Sequence, residues 1–428
     1  MTGLDPSEIW SDDERRAHQW RVLGGQLPWL YHSNAFYRRK WTDAGLKDMR
    51  DVALDRDGLR LLPFTTKAEL SEDQKAHPPY GTNLSYSLDR YVRVHQTSGT
   101  TGKPLRILDT AESWQWWKGV WEFIYRAAGV TRADRVFFCF SFGPFIGFWS
   151  AFAGAEHIGA LCVSGGSMSS SERVAAIVAS EATVLLSTPT YALRLAEVAR
   201  EDGVDLARSA LRVSIHAGEP GASIPSTRER IERELGVEAF DHTGATEVGA
   251  HGFSCSARDG VHLIEREFIA EILDPQTGQV RDSGEGELVL TNLGRWGMPA
   301  IRYRTSDRVR ATRSRCSCGR TLVKLEGGIA GRVDDMVTVR GVNVFPSAIE
   351  AIVRRFDEVG EFRVELAKDR DMDELRCTIE GRAGAAADLA ERVATAIHKD
   401  LGIRCAVDVA APGTLPRFEL KAKRFIRA

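Results

Sequence analysis

Short apolar runs alternate with amphipathic stretches between residues 136 and 215, and this alternation limits the fold more than any other feature of the chain. Val136-Phe-Phe-Cys-Phe-Ser141, Val184-Leu-Leu-Ser187 and residues 211–215 read as buried strands, while 172–181 and 191–201 carry a helical period. Strands joined through helices pair in parallel, and a parallel sheet needs cover on both faces. Residues 112–128 repeat Trp116, Trp117, Val120, Phe123, Ile124 and Ala127 at helical spacing, which marks a core-facing stripe. A chain of 428 residues has room for two domains with a sizeable core. The expected class is α/β.

The pattern changes at about residue 261. Phe268-Ile-Ala-Glu-Ile-Leu273 and Glu287-Leu-Val-Leu-Thr291 read as strands linked through the turn Asp274-Pro-Gln-Thr-Gly278, as in an antiparallel, barrel-like lobe. Gly327-Gly-Ile-Ala-Gly-Arg332 then marks a boundary. Beyond it, Pro346 opens a helix with Ile349, Ile352, Val353 and Phe356 on one face; Phe362, Val364 and Leu366 alternate as a strand, as do residues 376–379, and Leu389, Val393 and Ile397 mark a second helix. The expectation is a large, multi-lobed N-terminal domain over 1–331 and a small, mobile α+β C-terminal domain over 332–428, with a hinge near Asp334. Residues 1 to about 90 read as helical and irregular.

Composition excludes some classes. A net charge of −2 offers no electrostatic footprint for nucleic acid or an anionic membrane, and no apolar run approaches the roughly 20 residues that span a bilayer. Seven cysteines without framework spacing point to a reducing compartment. The opening Met1-Thr-Gly-Leu-Asp-Pro6 lacks the basic-then-apolar layout of a signal peptide. A cytoplasmic location is expected, and the oligomeric state stays open, a homodimer included.

The chemistry centres on Thr97-Ser98-Gly99-Thr100-Thr101-Gly102-Lys103, a donor-rich loop between apparent strands at Tyr91–Val94 and Leu105–Ile107. It reads either as a phosphate cradle or as a solvated Ser/Thr/Gly turn. It is not a P-loop of the G-x-x-x-x-G-K-[ST] kind, because Pro104 stands where a Mg²⁺-binding hydroxyl is needed. Asp241-His-Thr-Gly-Ala-Thr-Glu247 places a hydroxyl and a carboxylate after a glycine turn. Glu247 suits a Mg²⁺ ligand beside phosphates, or else an acid at a helix start. Asp307 ends an apparent strand where an acid accepts both hydroxyls of a ribose, or caps a plain turn. Arg332 and Asp334 lie on the hinge. Lys421, in the basic tail 415–424, reads either as a mobile point charge for a phosphoryl group or as part of a solvated tail. Cys316-Ser-Cys318, with Cys255 and His262 upstream, supplies four ligands for tetrahedral structural Zn²⁺ in a lobe over about 250–325; the alternative is a set of reduced thiols with a surface histidine. The remaining cysteines, Cys139, Cys162, Cys377 and Cys405, read as small core residues.

Taken in order, these segments resemble the acyl-adenylate-forming superfamily, and within it the phenylacetate–CoA ligase-like branch. The resemblance rests on the 97–103 loop, Gly244-Ala-Thr-Glu247, Arg302-Tyr-Arg-Thr-Ser-Asp307, Gly331-Arg-Val-Asp-Asp335, Arg340-Gly-Val-Asn-Val-Phe-Pro346 and the tail from Pro416 to Lys421. Branch-specific matches are Gly154-Ala-Glu-His-Ile-Gly159, Ser164-Gly-Gly166 and Ala217-Gly-Glu-Pro220. The resemblance implies that ATP and a carboxylic acid give acyl-AMP and pyrophosphate, and that CoA thiolate then attacks after the small domain rotates about Asp334. It implies that the 97–103 loop holds the β/γ-phosphates and that Thr246 and Glu247 serve the α-phosphate and Mg²⁺. It further implies that Gly218, Glu219, Pro220, Asp241, His242, Thr243 and Gly244 line the nucleotide site, that Asp307 with Arg332 takes the ribose, that Lys421 is the adenylation lysine, and that the loop at Gly341 faces CoA. The acyl pocket is expected between 139–148 and 216–247, from Phe142, Phe145, Gly147, Phe148, His216 and Ala217, with His242 and His251 as further candidates for reading a ring substituent. Phenylalanine walls suit a small, planar aromatic acid.

Three positions depart from the pattern. Thr243 stands where an aromatic residue usually stacks on adenine, Ser306 replaces a glycine, and Leu420 replaces a small residue before Lys421, with Lys423 close by as the alternative catalytic lysine. Rival readings are transfer of the acyl group to an amine or carrier protein, adenylylation of a deazaflavin coenzyme, and a non-catalytic zinc-stabilised interaction module.

Overall fold

Each apolar run of the alternating region becomes a strand, and the strands assemble around one pivot. In the computed structural model, residues 3–49, 52–97, 104–333, 335–339, 342–369, 372–418 and 422–427 are described, with backbone alone at 338, 343, 367–369, 372–374 and 427. Strands β1 (Tyr91–Gln96) and β2 (Arg106–Thr110) form an antiparallel hairpin of their own. Strands β3 (Arg135–Phe138), β4 (Leu161–Ser164), β5 (Val184–Ser187), β6 (Val213–His216) and β7 (Glu238–Ala245) pair in parallel. They are followed by β8 (Gly249–Phe253), β9 (Gly260–Leu263), β10 (Phe268–Leu273), β11 (Val280–Arg281), β12 (Gly284–Asn292), β13 (Tyr303–Thr312) and β14 (Lys324–Arg332), which pair antiparallel. All twelve join in the order β11-β10-β12-β13-β14-β9-β8-β7-β6-β5-β3-β4.

The pivot is β7. Its first half runs parallel to β6, ending with Asp241 opposite His216; its second half runs antiparallel to β8, starting with His242 opposite Phe253. The antiparallel lobe thus begins at β8, earlier than the change of pattern near residue 261. Gly249-Ala-His-Gly-Phe253 has too few β-formers to read as a strand on its own.

Helix starts follow local capping chemistry. Ser169 and Glu172 form a capping box that starts Ser170–Ala179, and Thr188 caps a helix that opens on Pro189 and runs to Glu201. The helix Ala111–Ala127 buries one broad face, with Trp114, Trp117, Val120, Trp121, Phe123, Ile124 and Tyr125 in the core, and leaves Glu112 and Gln115 exposed. Among the described residues no helix is long and apolar enough to cross a membrane.

The C-terminal region has its own sheet and core. A small hairpin, β15 (Val337–Val339) with β16 (Val342–Val344), precedes β17 (Val359–Asp369), β18 (Met372–Gly381), β19 (Cys405–Ala410) and β20 (Phe425–Arg427), ordered β19-β18-β17-β20. The helices Pro346–Val353 and Leu389–Leu401 pack Ile349, Ile352, Val353, Leu389, Val393 and Ile397 against that sheet. Cys377 and Cys405 are in this core and Cys139 is buried in the large domain, while Cys162 is half-buried.

Candidate active site

The β1–β2 hairpin delivers the phosphate-loop candidate. Thr97 closes its base: its backbone N–H donates to Leu105 O at 3.0 Å, and its Oγ1 accepts from Leu105 N at 3.0 Å. Ser98, Gly99, Thr100, Thr101, Gly102 and Lys103 lie outside the described residues. On the same hairpin, Asp109 is fully buried and forms a two-pronged pair with Arg295, Nε to Oδ1 at 2.8 Å and Nη2 to Oδ2 at 2.6 Å. Arg295 also donates from Nη1 to Thr246 O at 2.7 Å, and its guanidinium lies 5.3 Å from the centre of the Trp117 ring. One buried arginine therefore joins the hairpin that presents the loop to the turn that carries Thr246 and Glu247.

That turn follows β7. Thr246 is half-buried and Glu247 is buried, its Oε1 3.4 Å from Lys67 Nζ. Burial, followed by the nearby Glu247 carboxylate, pushes the Tyr303 phenol well above its usual range. Glu247 thus faces a cation and a hydroxyl in a largely dry setting, which suits a carboxylate that takes a metal ion when phosphates are present. Thr243 pairs with Gly252 across β8; its Oγ1 is buried without a hydrogen-bond partner, and a Cβ on Gly252 would lie 2.5 Å from it.

Asp307 does not end a strand as expected but lies within β13, where it is the register partner of Arg332 on β14, with Arg332 Nη1 4.0 Å from Asp307 Oδ1. Ser306 has φ +62°, the left-handed region where glycine is at ease, so the departure at this position keeps a glycine-like backbone. Asp334, Gly341 and Lys421 lie outside the described residues, while the Lys423 side chain is exposed.

The aromatic cluster sits at the head of the helix Ile146–His157. Phe142, Phe145 and Phe148 are half-buried. Phe140 stacks on Phe148 at 4.0 Å between centroids, and Phe145 meets Phe148 edge-on at 6.3 Å. Gly147 is exposed on the first turn of the same helix. The Pro144 carbonyl accepts from Gln96 N at 2.7 Å, which ties this turn to the strand that leads into the candidate loop. Ala217 is half-buried at the end of β6, and Gly218, at φ +97°, turns the chain into Glu219 and Pro220.

The histidines are held neutral. His216 is fully buried, Nε2 2.7 Å from Ser214 Oγ and Nδ1 3.3 Å from Ser187 O, and burial lowers it to about 4. His242 is lowered to about 4 and His251 to about 3, again chiefly by burial; His242 Nδ1 lies 2.8 Å from Gly252 O and its ring 4.5 Å from that of Trp121. Beside them, burial raises Asp241 to about 6, against the hydrogen bond from Ser223.

Cys255, His262, Cys316 and Cys318 converge, with all four ligand atoms within 4.8 Å of one another. Cys255 Sγ lies 3.8 Å from Cys316 Sγ, too far for a disulfide, and Cys318 Sγ lies 3.6 Å from His262 Nε2. Tetrahedral zinc with Zn–S about 2.3 Å and Zn–N about 2.0–2.1 Å requires separations of about 3.8 and about 3.6 Å. The donor set fits that ion.

Asp109, Arg295 and Lys67 were not legible as site residues. Arg295 and Asp109 are 186 positions apart, and neither lies in a recognisable phosphate or metal motif.

Residues 45–294 match the family of AMP-binding enzymes, and residues 341–428 match the AMP-binding enzyme C-terminal domain. Phenylacetate-coenzyme A ligase of Pseudomonas putida is 32% identical over 431 residues, covering 98% of this chain and 95% of the relative. That of Escherichia coli strain K12 is 33% identical over 441 residues, covering 99% and 97%. The solved 2-hydroxyisobutyryl-CoA ligase in its postadenylation state, in complex with 2-HIB-AMP, superposes with a TM-score of 0.93 at 29% identity, covering 99% of this chain and 91% of that one. The same ligase in its thioesterification state, with 2-HIB-AMP and CoA, gives 0.73 at 31% identity, covering 98% and 91%.

Proposed function

The chain belongs to the AMP-binding enzyme family, an AMP-forming CoA ligase that joins an acid to CoA through acyl-AMP, and from that premise we propose that its acid is aromatic. The carboxylate attacks the α-phosphorus of ATP and pyrophosphate leaves. The thiolate of CoA then attacks the acyl carbonyl, and AMP leaves. The observation that carries the aromatic reading is the half-buried Phe142, Phe145 and Phe148 cluster, hydrogen-bonded through Pro144 to the base of the 97–103 loop. The stacking of Phe148 on the buried Phe140 and its edge contact with Phe145 are the kinds of contact a planar acid would extend.

In this reading the 97–103 loop takes the β/γ-phosphates, Asp307 with Arg332 takes the ribose, and Thr246 lies at the α-phosphate. Gly218, Pro220, Asp241, His242, Thr243 and Gly244 surround the base and sugar. Mg²⁺, held by Glu247, would neutralise phosphate charge. Lys421 supplies the positive charge at the reacting phosphoryl group, with Lys423 as the alternative lysine. The boundary lies between 331 and 332 with the hinge at Asp334, and Gly341 meets CoA once the small domain has turned. His216, with both ring nitrogens engaged, serves the wall of the site through its backbone and Ala217 rather than by reading the ring.

Cys255, His262, Cys316 and Cys318 hold a structural zinc. Four protein ligands leave no open coordination position, so the ion supplies stability and no chemistry. Metal analysis of the purified protein should find one zinc per chain, and a metal-free folded protein would refute it.

The functional test is ATP–pyrophosphate exchange across a panel of aryl and aliphatic acids, followed by detection of CoA thioester. Exchange with aryl acids and thioester formation are expected. Exchange with aliphatic acids alone would sink the aromatic reading, and exchange without thioester would favour an amine, carrier-protein or coenzyme acceptor.

A further inference from the structure

Glu219 was expected to touch nucleotide, but both its carboxylate oxygens are engaged elsewhere. Oε1 accepts the backbone N–H of Thr190 at 2.9 Å, and Oε2 accepts the backbone N–H of Ala422 at 2.9 Å. Thr190 is the second residue of the helix Pro189–Glu201, so its N–H is one of the orphan donors of a helix N-terminus, a favourable place for a carboxylate. That bond fixes the Glu219 side chain on the large domain. The other oxygen reaches across to the tail, at the residue that follows Lys421 in the chain.

A second strut runs beside it. Arg424 is buried and grips Glu361 of the small domain with Nε to Oε1 at 2.6 Å and Nη2 to Oε2 at 3.0 Å. Its Nη1 donates to Thr190 Oγ1 at 3.0 Å and lies 3.3 Å from Glu350 Oε1. Thr190 therefore meets the tail twice, through Glu219 by its N–H and through Arg424 by its hydroxyl. On the large domain the circuit is anchored at a helix start through Thr190, and on the small domain by the two-pronged Arg424–Glu361 pair.

We propose that Glu219 is a positioning residue that docks the C-terminal tail on the large domain and so sets the adenylation lysine for the first half-reaction only. The proposal rests on the ligase reading given above and on Lys421 as that lysine. Its restriction to one half-reaction follows from geometry. The 2-hydroxyisobutyryl-CoA ligase superposes at 0.93 in its postadenylation state and at 0.73 in its thioesterification state, so the arrangement seen here is that of the former. A contact that bridges two domains is lost when one of them turns. Glu219 thus holds the tail during acyl-AMP formation and releases it before CoA attacks.

Glu219→Gln is the discriminating variant. An amide keeps the size but has one acceptor oxygen, so it cannot accept from Thr190 and Ala422 together, and its NH₂ group would face an N–H. Two rates are read on the intact chain: pyrophosphate exchange with phenylacetate as probe, and thioester formation from supplied phenylacetyl-AMP and CoA. The ratio of the first to the second should fall about ten- to a hundredfold, the range for a hydrogen bond to a charged group. Thr190→Val, which removes only the strut to Arg424, should lower the same ratio about two- to tenfold and keeps the test alive should Glu219→Gln fail to fold. Equal losses in both half-reactions, an unchanged ratio, or a rise in the KM for ATP as the only effect would each overturn the proposal. Absence of exchange in the unmodified protein with every acid tried would instead overturn the ligase reading, and this proposal with it.

Discussion

The two halves of the site are held together by opposite kinds of contact. Inside the large domain, Asp109 and Arg295 pair with no exposure at all, and Arg295 reaches on to the Thr246 carbonyl. At the seam between the domains, Arg233 pairs with Asp357 at 2.6 Å with the two side chains 54% and 64% exposed, and Arg382–Glu234 and Arg417–Glu197 are also partly open to water. A buried ion pair is costly to break, because it strands a charge away from water. An exposed pair exchanges for water at a cost of about 0–1 kcal/mol. In the proposed reading the phosphate side is thus costly to open, whereas the exposed pairs of the seam, unlike the buried Arg424–Thr190 contact, give way to water at little cost.

The largest effect on the fixed side should come from acid. His95, His216 and His242 are each lowered by burial to about 4, and His251 to about 3. A histidine depressed in the folded state binds its proton later than in the unfolded chain. Its stability contribution is therefore complete above about pH 6.5 and is lost as pH falls toward 4, by up to about 3 kcal/mol per histidine. Asp241, raised to about 6, opposes this: its protonation favours the folded state below pH 6. Four groups outweigh one, so the large domain should lose stability between pH 6.5 and 4 in calorimetry. A stability that is flat or rising over that interval would contradict the burial of these rings.

Arg295→Met comes next. It strands Asp109 and should destabilise the protein by about 3–5 kcal/mol. The double variant Asp109→Leu with Arg295→Met should recover much of the stability in denaturant titration without restoring adenylation, since the Thr246 carbonyl still lacks its donor. Recovery of both would show that the arginine matters to the fold alone. On the C-terminal side, Lys421→Ala should slow pyrophosphate exchange by about 10²–10³ at little cost in stability, whereas Lys423→Ala should change it by less than about threefold. If only Lys423→Ala abolishes exchange, the lysine has been misassigned. The smallest effect belongs to the seam. Asp357→Asn should alter stability by less than about 1 kcal/mol, and the change should shrink further at high salt. A large, salt-insensitive loss would mean that the domains are fused rather than docked.

Much of this was legible in the chain. Val136, Val184 and Ile215 announced parallel strands because both faces of such strands are apolar, and the C-x-C pair with Cys255 and His262 was readable because ligand chemistry admits few residue types. Thr246 and Glu247 were candidates because their motif places a hydroxyl and an acid after a glycine, and they do lie on a turn, whereas Asp307, read as the end of a strand, lies inside β13. What stayed hidden depends on tertiary closure. Asp109 and Arg295 carry no local signal, since their meaning arises when a hairpin and a distant loop meet. Glu219 was read with its neighbours as a nucleotide contact because Ala217-Gly-Glu-Pro220 says nothing of a tail arriving from residue 422. Ser306 looked like a departure until its backbone showed the conformation of the glycine it replaces.

The central claim is that one site makes an acyl-adenylate and then spends it on CoA. A single-turnover reaction with enzyme in excess over ATP, Mg²⁺ and an exchange-competent aryl acid tests it most directly, with nucleotide and acyl species followed by mass spectrometry before and after CoA is added. Acyl-AMP and pyrophosphate should appear first, and CoA should then convert the adenylate one-for-one into thioester and AMP. Release of ADP and phosphate, or thioester forming with no adenylate before it, would contradict the account.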